Sequence, residues 1–405
     1  MERILITPDA YREALAVRDL TDAAQGQHAM QHLIGDVIAR LRDTWRCAVI
    51  VERSHPLVSL AENYELLEYP PDAPARDARY TRYVTAGAVL RTHTSAMVPN
   101  LLRSIAAAEY QDVLLACVGL VYRRDRIDRQ SVSEPHQLDL WRISCLRLHE
   151  AQLREMIDLV VSELVPGCQY RANATSHPYT TSGLEVEIQR SGGWVEVAEC
   201  GLAEPGVLAR AGLAPDRYSG LAMGIGLDRA LMLRKGIDDI RLLRSTDERV
   251  ASQMLDLSRY RPVSSMPPVR RDISIAVAAE PSAEELGDRV RAALGHDAEA
   301  VEAVEILSRT PAEELPPKPA ARLGIAPGQS NLLVRLVLRH PTRTLSADEA
   351  NRLRDEVYAA LHQGSALQWA SEGRGSATGS GNSTSRRPAD AADRYPSAGG
   401  IHAWR

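Results

Sequence analysis

The most unusual feature of this 405-residue sequence is that it contains no phenylalanine. At the usual share of a few per cent, roughly a dozen or more would be expected in a chain of this length, so chance is a poor explanation. Gradual replacement by leucine, tyrosine and methionine in a tolerant core would leave a few phenylalanines behind. The absence therefore requires an explanation that applies to the whole chain.

Closely spaced cysteines and long apolar runs are also missing. None of the five cysteines lies in a CxxC motif, which excludes a zinc knuckle and a disulfide framework and predicts a cytoplasmic protein in a reducing cytosol. No stretch approaches about 18 uninterrupted apolar residues, so no membrane-spanning segment is predicted. The first residues, MERILITPDAYREALAVRD, include acidic residues and predict neither a signal peptide nor a transit peptide.

The residues that are present are those of a soluble globular protein. Apolar residues make up 44% and charged residues 25% of the chain, which is enough for a buried core. The length predicts two domains plus a tail. The net charge of -5 argues against a uniformly basic nucleic-acid coat, but it leaves room for local basic patches.

The first two-thirds of the chain predict an α+β fold. Residues 1–46 form an N-terminal helical segment, in which 27–46 carry an apolar stripe typical of an amphipathic helix. From 47 to 255, strand-like runs interleave with a few helices, including one at 149–164 and one that begins at 227. Hairpin signals such as RSGGW between these runs predict an antiparallel sheet flanked by helices.

The last third predicts a second, smaller domain. Residues 256–270 are proline-rich and predict a linker. Residues 271–370 follow the order β-α-β, a Pro/Ala loop at 311–328, then β-α, which is most of a ferredoxin-like βαββαβ unit. SALQWA at 365–370 is the candidate for its closing strand. Residues 371–405 have low complexity and are predicted to be disordered.

Three polar clusters are candidate sites. LRTHTS at 90–95 is also typical of a turn stabilised by Thr and Ser side chains. GLVYRRDRID at 119–128 is typical either of a solvated hairpin or of a guanidinium placed to bind a phosphate. GLAMGIGLDRALML at 220–233 lacks the third glycine and the βαβ context of a dinucleotide fingerprint. An arginine in its first helical turn could still bind a nucleotide.

In this order the three clusters resemble the motifs of class II aminoacyl-tRNA synthetases, and in detail those of phenylalanyl-tRNA synthetases. LRTHTS matches as it stands, and VYRRDRID followed by HQLD at 136–139 resembles motif 2 and the family's HQ-x-E element. GWVEVAECG at 193–201 and the segment 218–241 resemble the strand and motif 3. The sequence from about 261 resembles the family's ferredoxin-fold anticodon-binding domain, in a single-chain, organelle-type architecture.

The resemblance implies ATP and Mg²⁺ as cofactors, and tRNA, of the phenylalanine type, and an amino acid as partners, for a monomer or a homodimer. It implies that Arg123 and Arg229 are catalytic and that Glu196 is a weak Mg²⁺ ligand. The implied ATP-binding residues are Arg123, Asp125, Gln130, Glu196 and Arg229. The implied amino-acid-binding residues are His93, Ser95, His136, Gln137, Asp139, His177, Tyr179, Glu199, Leu221 and Ala222.

Departures from the family concentrate around the substrate's side chain. The family's F-P-F element reads His177-Pro178-Tyr179, its F-A-F element reads Leu221-Ala222-Met223, and a glycine becomes Glu199. Asp139 stands where the family has Glu, one methylene longer. Aromatic packing worth about 0.5–1.5 kcal/mol per pair is lost or altered by such changes.

Three hypotheses about function stay open at this level. The enzyme activates phenylalanine, and its own phenylalanines were removed because it must be made when the charged tRNA for that residue is scarce or corrupted. Alternatively, the pocket was rebuilt for another amino acid, because a buried Glu199 needs a partner or a polar substrate. The third hypothesis is a non-catalytic tRNA-binding regulator, against which Arg123, Gln137 and Arg229 argue.

Overall fold

The computed structural model describes residues 5–190, 192–263, 267–278 and 281–367. The helices are α1 (Pro8–Ala16), α2 (Ala29–Trp45), α3 (Leu60–Asn63), α4 (Val98–Ala108), α5 (Glu150–Leu164), α6 (Pro205–Arg210), α7 (Leu227–Lys235), α8 (Glu248–Ala251), α9 (Ala283–Leu294), α10 (Pro317–Leu323) and α11 (Ala347–Leu361). The strands are β1 (Ala48–Glu52), β2 (Leu57–Ser59), β3 (Ala88–Leu90), β4 (Asp112–Leu120), β5 (His136–Ser144), β6 (Tyr170–Ala174), β7 (Thr180–Arg190), β8 (Gly193–Ala203), β9 (Ser219–Gly226), β10 (Val269–Val277), β11 (Val301–Pro311) and β12 (Ser330–Leu338). No helix in these ranges has both the length and the apolar character needed to cross a bilayer.

A seven-stranded sheet in the order β1-β4-β5-β9-β8-β7-β6 forms the framework of the larger part. All its neighbours are antiparallel except β1 and β4, which pair in parallel. The predicted antiparallel sheet is therefore a mixed one. The long connection at 53–111 allows the parallel pair, because a crossover of a dozen or more residues can return the chain in the same direction.

The predicted amphipathic helix is confirmed as α2, and it covers one face of this sheet. Met30, Leu33 and Val37 on its apolar stripe are buried in a core that also includes residues of α5 and α7. The helix ends at Arg46, whose φ of 54° is left-handed. On the other face, α4 and α6 pack over Trp141 and Ala222 and leave the neighbouring part of the sheet uncovered.

The C-terminal part contains a three-stranded antiparallel sheet in the order β10-β12-β11. Helices α9 and α11 bury Leu286, Val290 and Leu353 against it. Both helices begin with a capping box, formed by Ser282 and Glu285 in α9 and by the corresponding Ser and Glu in α11.

Two features differ from the prediction for this part. The segment expected to be a Pro/Ala loop contains α10, because Pro317 stands at its first position and Gly324 ends it with a left-handed φ of 57°. Residues 365–367 form no strand, and 368–370 lie outside the described residues. The complete ferredoxin-like unit therefore stays a prediction, as does the disordered tail, which also lies outside them.

Candidate active site

A cleft of about 450 Å³ lies on the uncovered face of the seven-stranded sheet. Its floor is formed by Gln137 and Asp139 of β5 and by Gly224 and Gly226 of β9. The floor is low at β9 because Gly224 and Gly226 have no side chains, and a Cβ on Gly224 would already be in contact with Oδ2 of Asp139 at 3.4 Å. The glycines thus leave a channel across the strand from which the Asp139 carboxylate can be reached.

Arg123 enters the cleft just beyond the end of β4. Its Nε donates to the carbonyl oxygen of Thr92 at 2.7 Å, and its own carbonyl accepts from Arg82 at 3.0 Å. No described residue accepts a hydrogen bond from its two terminal nitrogens. The guanidinium is held at its base while its planar fork is free to bind a bidentate anion such as a phosphate.

Arg229 provides a second cation from the first turn of α7. Its Nη1 lies 3.5 Å from Oε2 of Glu196, a loose contact, and both side chains line the cleft. Burial and the neighbouring Glu199 raise the pKa of Glu196. Within the described ranges, no three His, Cys, Asp or Glu side chains are grouped as metal ligands. Glu196 could therefore hold a metal ion only together with oxygens of a ligand.

The loop between β4 and β5 contributes Asp125 and Gln130 to the cleft. Burial raises the pKa of Asp125. This loop is docked on the C-terminal part, because Ile127 is buried in the same core as Leu286 of α9 and its carbonyl accepts from Val304 of β11 at 3.1 Å. The cleft therefore depends on two parts of the chain that are far apart in sequence.

Helix α9 fits closely against the same loop. A Cβ on Gly287 would lie 2.7 Å from the carbonyl oxygen of Asp125, so only glycine allows this approach. Arg291 donates to the carbonyl of Arg126 at 3.1 Å, and Arg124 forms an ion pair with Asp288 at 3.4 Å. These contacts fix the backbone that follows Arg123.

Asp139 is buried at the floor of the cleft and has two donors. Ser95 donates to Oδ2 at 2.5 Å and Trp141 Nε1 donates to Oδ1 at 2.8 Å. Burial nevertheless raises the pKa of Asp139 to about 6. Beside it, the side-chain oxygen of Gln137 accepts from the Thr94 backbone at 3.2 Å. A carboxylate and an amide are thus available for a substrate's ammonium group.

Neighbouring aromatic rings form one wall of the cleft. The Tyr179 ring stacks on Trp141 and is tilted against Tyr69, with 6.0 Å between the ring centroids in each pair. Tyr69 stacks on His93 at 5.6 Å. Burial lowers the pKa of His93 to about 3, so its ring is neutral and acts there as an aromatic surface.

His177 and Glu199 form an ion pair beside this wall. His177 Nε2 lies 3.0 Å from Oε2 of Glu199. This hydrogen bond raises the pKa of His177 and lowers that of Glu199, so both partners favour their charged forms. Glu199 lines the cleft directly, whereas His177 lies behind it.

The structure brings most of the predicted site residues together, but not His136 and Leu221. His136 is fully buried on the opposite face of β5, where Nδ1 lies 3.1 Å from Asp228 and Nε2 accepts from the Leu20 backbone. Leu221 belongs to the core under α2, whereas Ala222 is buried near Trp141 on the cleft side. Strand alternation causes this, since neighbouring residues point to opposite faces.

Other residues of the cleft were not predicted. Tyr69, Tyr80 and Thr92 line it, and Trp141 bonds to its floor. Trp141 could have been found, because it is two residues beyond Asp139 on a strand and shares its face. The tyrosines lie on long connections, and no periodicity marks them.

Two curated relatives are alpha subunits of phenylalanine–tRNA ligase. The alpha subunit of phenylalanine–tRNA ligase from Prochlorococcus marinus is 37% identical over 191 residues, which cover 47% of this chain and 56% of that subunit. The corresponding subunit from Nostoc punctiforme is 36% identical over the same length, with the same coverage. The chain thus spans a little over half the length of these relatives.

A solved structure and a family model also match. The crystal structure of pyrrolysyl-tRNA synthetase from Desulfitobacterium hafniense has a TM-score of 0.44 and 14% identity, covering 62% of this chain and 81% of that one. The model described as tRNA synthetases class II core domain (F) matches residues 19–254, which are more than half of the chain. The chain therefore belongs to the family of class II tRNA synthetases with this core domain.

Proposed function

We propose that this protein is a phenylalanyl-tRNA synthetase-like enzyme, which activates an amino acid with ATP and transfers it to a tRNA. In the first step an oxygen of the amino acid's carboxylate attacks the α-phosphorus of ATP. The bond to the pyrophosphate breaks, and an aminoacyl-adenylate results. The free guanidinium fork of Arg123, in the same cleft as the buried Asp139 and Gln137, carries this proposal.

The nucleotide would occupy the end of the cleft with the two arginines. Arg123 would bind the α-phosphate, where negative charge accumulates as the carboxylate attacks. Arg229 would stack on the adenine and balance the distal phosphates. Asp125 and Gln130, on the loop that α9 holds, would bind near the adenine.

Magnesium fits this end of the cleft through Glu196. Mg²⁺ is usually bound by one or two carboxylates together with substrate phosphates, and Glu196 supplies one carboxylate facing the cleft. When bound, the ion would neutralise charge on the phosphate oxygens. The loose contact between Glu196 and Arg229, at 3.5 Å, leaves the carboxylate able to turn towards it.

The amino acid would occupy the neighbouring part of the floor. Asp139 and Gln137 would hold its ammonium group, and Ser95 keeps the Asp139 carboxylate in place by its 2.5 Å hydrogen bond. His93 would contribute a neutral, stacked ring beside the ammonium. We propose that these four residues position the amino acid for attack on ATP, since alignment of the two reactants supplies most of the catalysis in such a reaction.

Transfer to tRNA is the second part of the proposal. The relatives are named for phenylalanine–tRNA ligase, which supports a tRNA of the phenylalanine type as acceptor. Residues 271–370 would form a ferredoxin-like anticodon-binding domain, to which the antiparallel order β10-β12-β11 corresponds. We propose a monomer or a homodimer in the cytoplasm, where the five free cysteines would stay reduced.

Exchange of ATP with labelled pyrophosphate, measured with each of the twenty amino acids, tests the proposal. Exchange with phenylalanine would support the hypothesis that phenylalanine is still the substrate, although phenylalanine residues were removed from the enzyme's own sequence. Exchange with another amino acid would support a rebuilt pocket, which the charged pair of His177 and Glu199 favours. No exchange with any amino acid, together with tight tRNA binding, would leave only a non-catalytic regulator.

A further inference from the structure

Glu199 presents a charged group to the cleft that the activation reaction does not require. One of its oxygens, Oε2, is bonded to His177 at 3.0 Å. No described residue donates a hydrogen bond to the other oxygen. The side chain is 42% exposed, and Glu199 lines the cleft. An ionised carboxylate with a free acceptor is thus available to a ligand.

The sheet register places Glu199 in the same row as Asp139. Gly224 of β9 is the partner of Asp139 on β5 and also the partner of Glu199 on β8. Neighbouring strands lie about 4.8 Å apart, so the backbones of the two acids are separated by roughly 10 Å. Between them lies only the glycine, so the channel over Gly224 leads from one carboxylate to the other.

An amino acid can span this channel. With its ammonium group on Asp139, its side chain would extend over Gly224 towards Glu199. A substrate side chain with an apolar end would displace water from the Glu199 carboxylate without replacing its hydrogen bond, which is unfavourable for a charged group. A side chain that ends in a donor would instead bond to the free oxygen of Glu199.

Resting on the proposed function, we propose that the cleft selects an α-amino acid whose side chain ends in a hydrogen-bond donor, either a hydroxyl or a cationic amine, and that Glu199 accepts this bond. His177 is a positioning residue in this arrangement. Its bond to Oε2 restrains the carboxylate and leaves the other oxygen as the acceptor for a ligand. The rings of Tyr69 and Tyr179 form the wall along which the substrate's side chain lies.

Pyrophosphate exchange with matched pairs of amino acids tests this assignment. The pairs are tyrosine and 3-hydroxyphenylalanine against phenylalanine, and lysine against norleucine, beside a scan of the twenty standard amino acids. We expect the preferred substrate to carry a side-chain donor and to exceed its donor-free analogue at least tenfold in kcat/KM. A hydrogen bond to a charged group is worth about this factor or more.

Substitutions at Glu199 identify the group that makes the selection. Glu199→Ala should reduce the ratio of kcat/KM within the preferred pair at least tenfold, a larger change than any in the KM for ATP. Glu199→Gln should reduce this ratio only slightly if the preferred side chain ends in a hydroxyl, because an amide oxygen still accepts a hydrogen bond. It should reduce the ratio strongly if the side chain ends in a cation. Glu187→Ala is the matched control, since Glu187 lies on β7, is bonded to Arg171 at 2.6 Å and does not line the cleft.

The outcomes separate this inference from the function on which it rests. Preference for phenylalanine or another donor-free amino acid, or an unchanged ratio in Glu199→Ala, would overturn the assignment of Glu199 while leaving an amino-acid-activating enzyme. No exchange by a folded protein with any amino acid would overturn both. Circular dichroism of each variant establishes that it is folded.

Discussion

The two ends of the cleft differ in whether their charged side chains have partners within the protein. At the nucleotide end, the guanidinium of Arg123 is fixed through Nε, and its terminal nitrogens have no partner among the described residues. At the side-chain end, His177 and Glu199 neutralise each other, and Asp139 has donors on both oxygens. An unpaired cation in a cleft indicates that its partner is a ligand. A paired group instead restricts which ligand can approach without breaking the pair.

This difference between an unpaired and a paired charge explains why amino-acid activation is easier to assign to the cleft than the identity of the amino acid. Phosphate binding needs a few cations with free donors, and Arg123 and Arg229 supply them whatever amino acid is present. Selection of a side chain depends on the balance between desolvation of an ion pair and new hydrogen bonds.

The largest effect is expected from Arg123→Ala. Its loss removes the only group we assign to the α-phosphate, and the removal of one donor that stabilises developing charge reduces kcat by about 100- to 1000-fold. Pyrophosphate exchange with the preferred amino acid measures this. Arg171→Ala, which removes an exposed arginine outside the cleft, is the control. An Arg123→Ala enzyme with normal exchange would show that the loop after β4 is not the phosphate site.

Arg229→Ala should have a smaller effect, which appears mainly in the KM for ATP. Arg229 makes only a 3.5 Å contact with Glu196, whose side chain is 45% exposed, so water can still reach that carboxylate when Arg229 is removed. Loss of stacking and of one phosphate contact should raise the KM for ATP about tenfold. The KM for the amino acid should stay within about twofold, since the partner of Arg229 is Glu196 and not a residue assigned to the amino acid. A rise in the KM for the amino acid with an unchanged KM for ATP would show that the nucleotide does not bind at this end of the cleft.

How far the sequence could predict these two ends depends on the distance between the residues concerned. The motifs of the nucleotide end are local, since Arg229 follows Gly226 within one turn and Asp125 follows Arg123 by two residues. The pair of His177 and Glu199 could not be predicted, because the two residues are 22 positions apart, on the β6–β7 connection and on β8, and no short pattern joins them. Conversely, His136 could have been excluded, because it alternates with Gln137 on one strand.

The fold shows the same limit. The stripe of α2 and the capping boxes of α9 and α11 are local patterns, and these helices were predicted correctly. The parallel pairing of β1 with β4 is non-local, and no short pattern marks it. Helix α10 was missed for another reason. Its prolines were interpreted as a loop signal, although Pro317 at the start and Gly324 at the end are typical of a short helix.

The dependence of amino-acid activation on pH tests the role of Asp139 in the part of the cleft that binds the amino acid. Burial raises the pKa of Asp139 to about 6, and only its ionised form can hold a substrate ammonium. At saturating ATP, kcat/KM for the amino acid should therefore decrease below pH 6, by up to about tenfold per pH unit. Asp139→Asn should lower the plateau and remove this acidic limb. An acidic limb that persists in Asp139→Asn would assign it to another group.

The smallest effect is expected at the contact that links the nucleotide end to the C-terminal part. In Gly287→Ala, the new Cβ would lie 2.7 Å from the carbonyl oxygen of Asp125, so α9 or the loop must move by several tenths of an ångström. Because this loop carries Arg123, Asp125 and Gln130, the KM for ATP should rise about three- to tenfold. The KM for the amino acid should change little, since Asp139 lies on β5 and not on the loop.

Gly35→Ala is the control for this last change. Gly35 lies in α2, and a Cβ added there would have no neighbour within 4 Å, so alanine fits without a clash. It should stabilise the protein by about 0.5–1 kcal/mol through helix propensity, without altering either KM. If Gly287→Ala behaved like Gly35→Ala in the exchange assay, the C-terminal part would not position the loop. The difference between the ends of the cleft would then arise within the seven-stranded sheet alone.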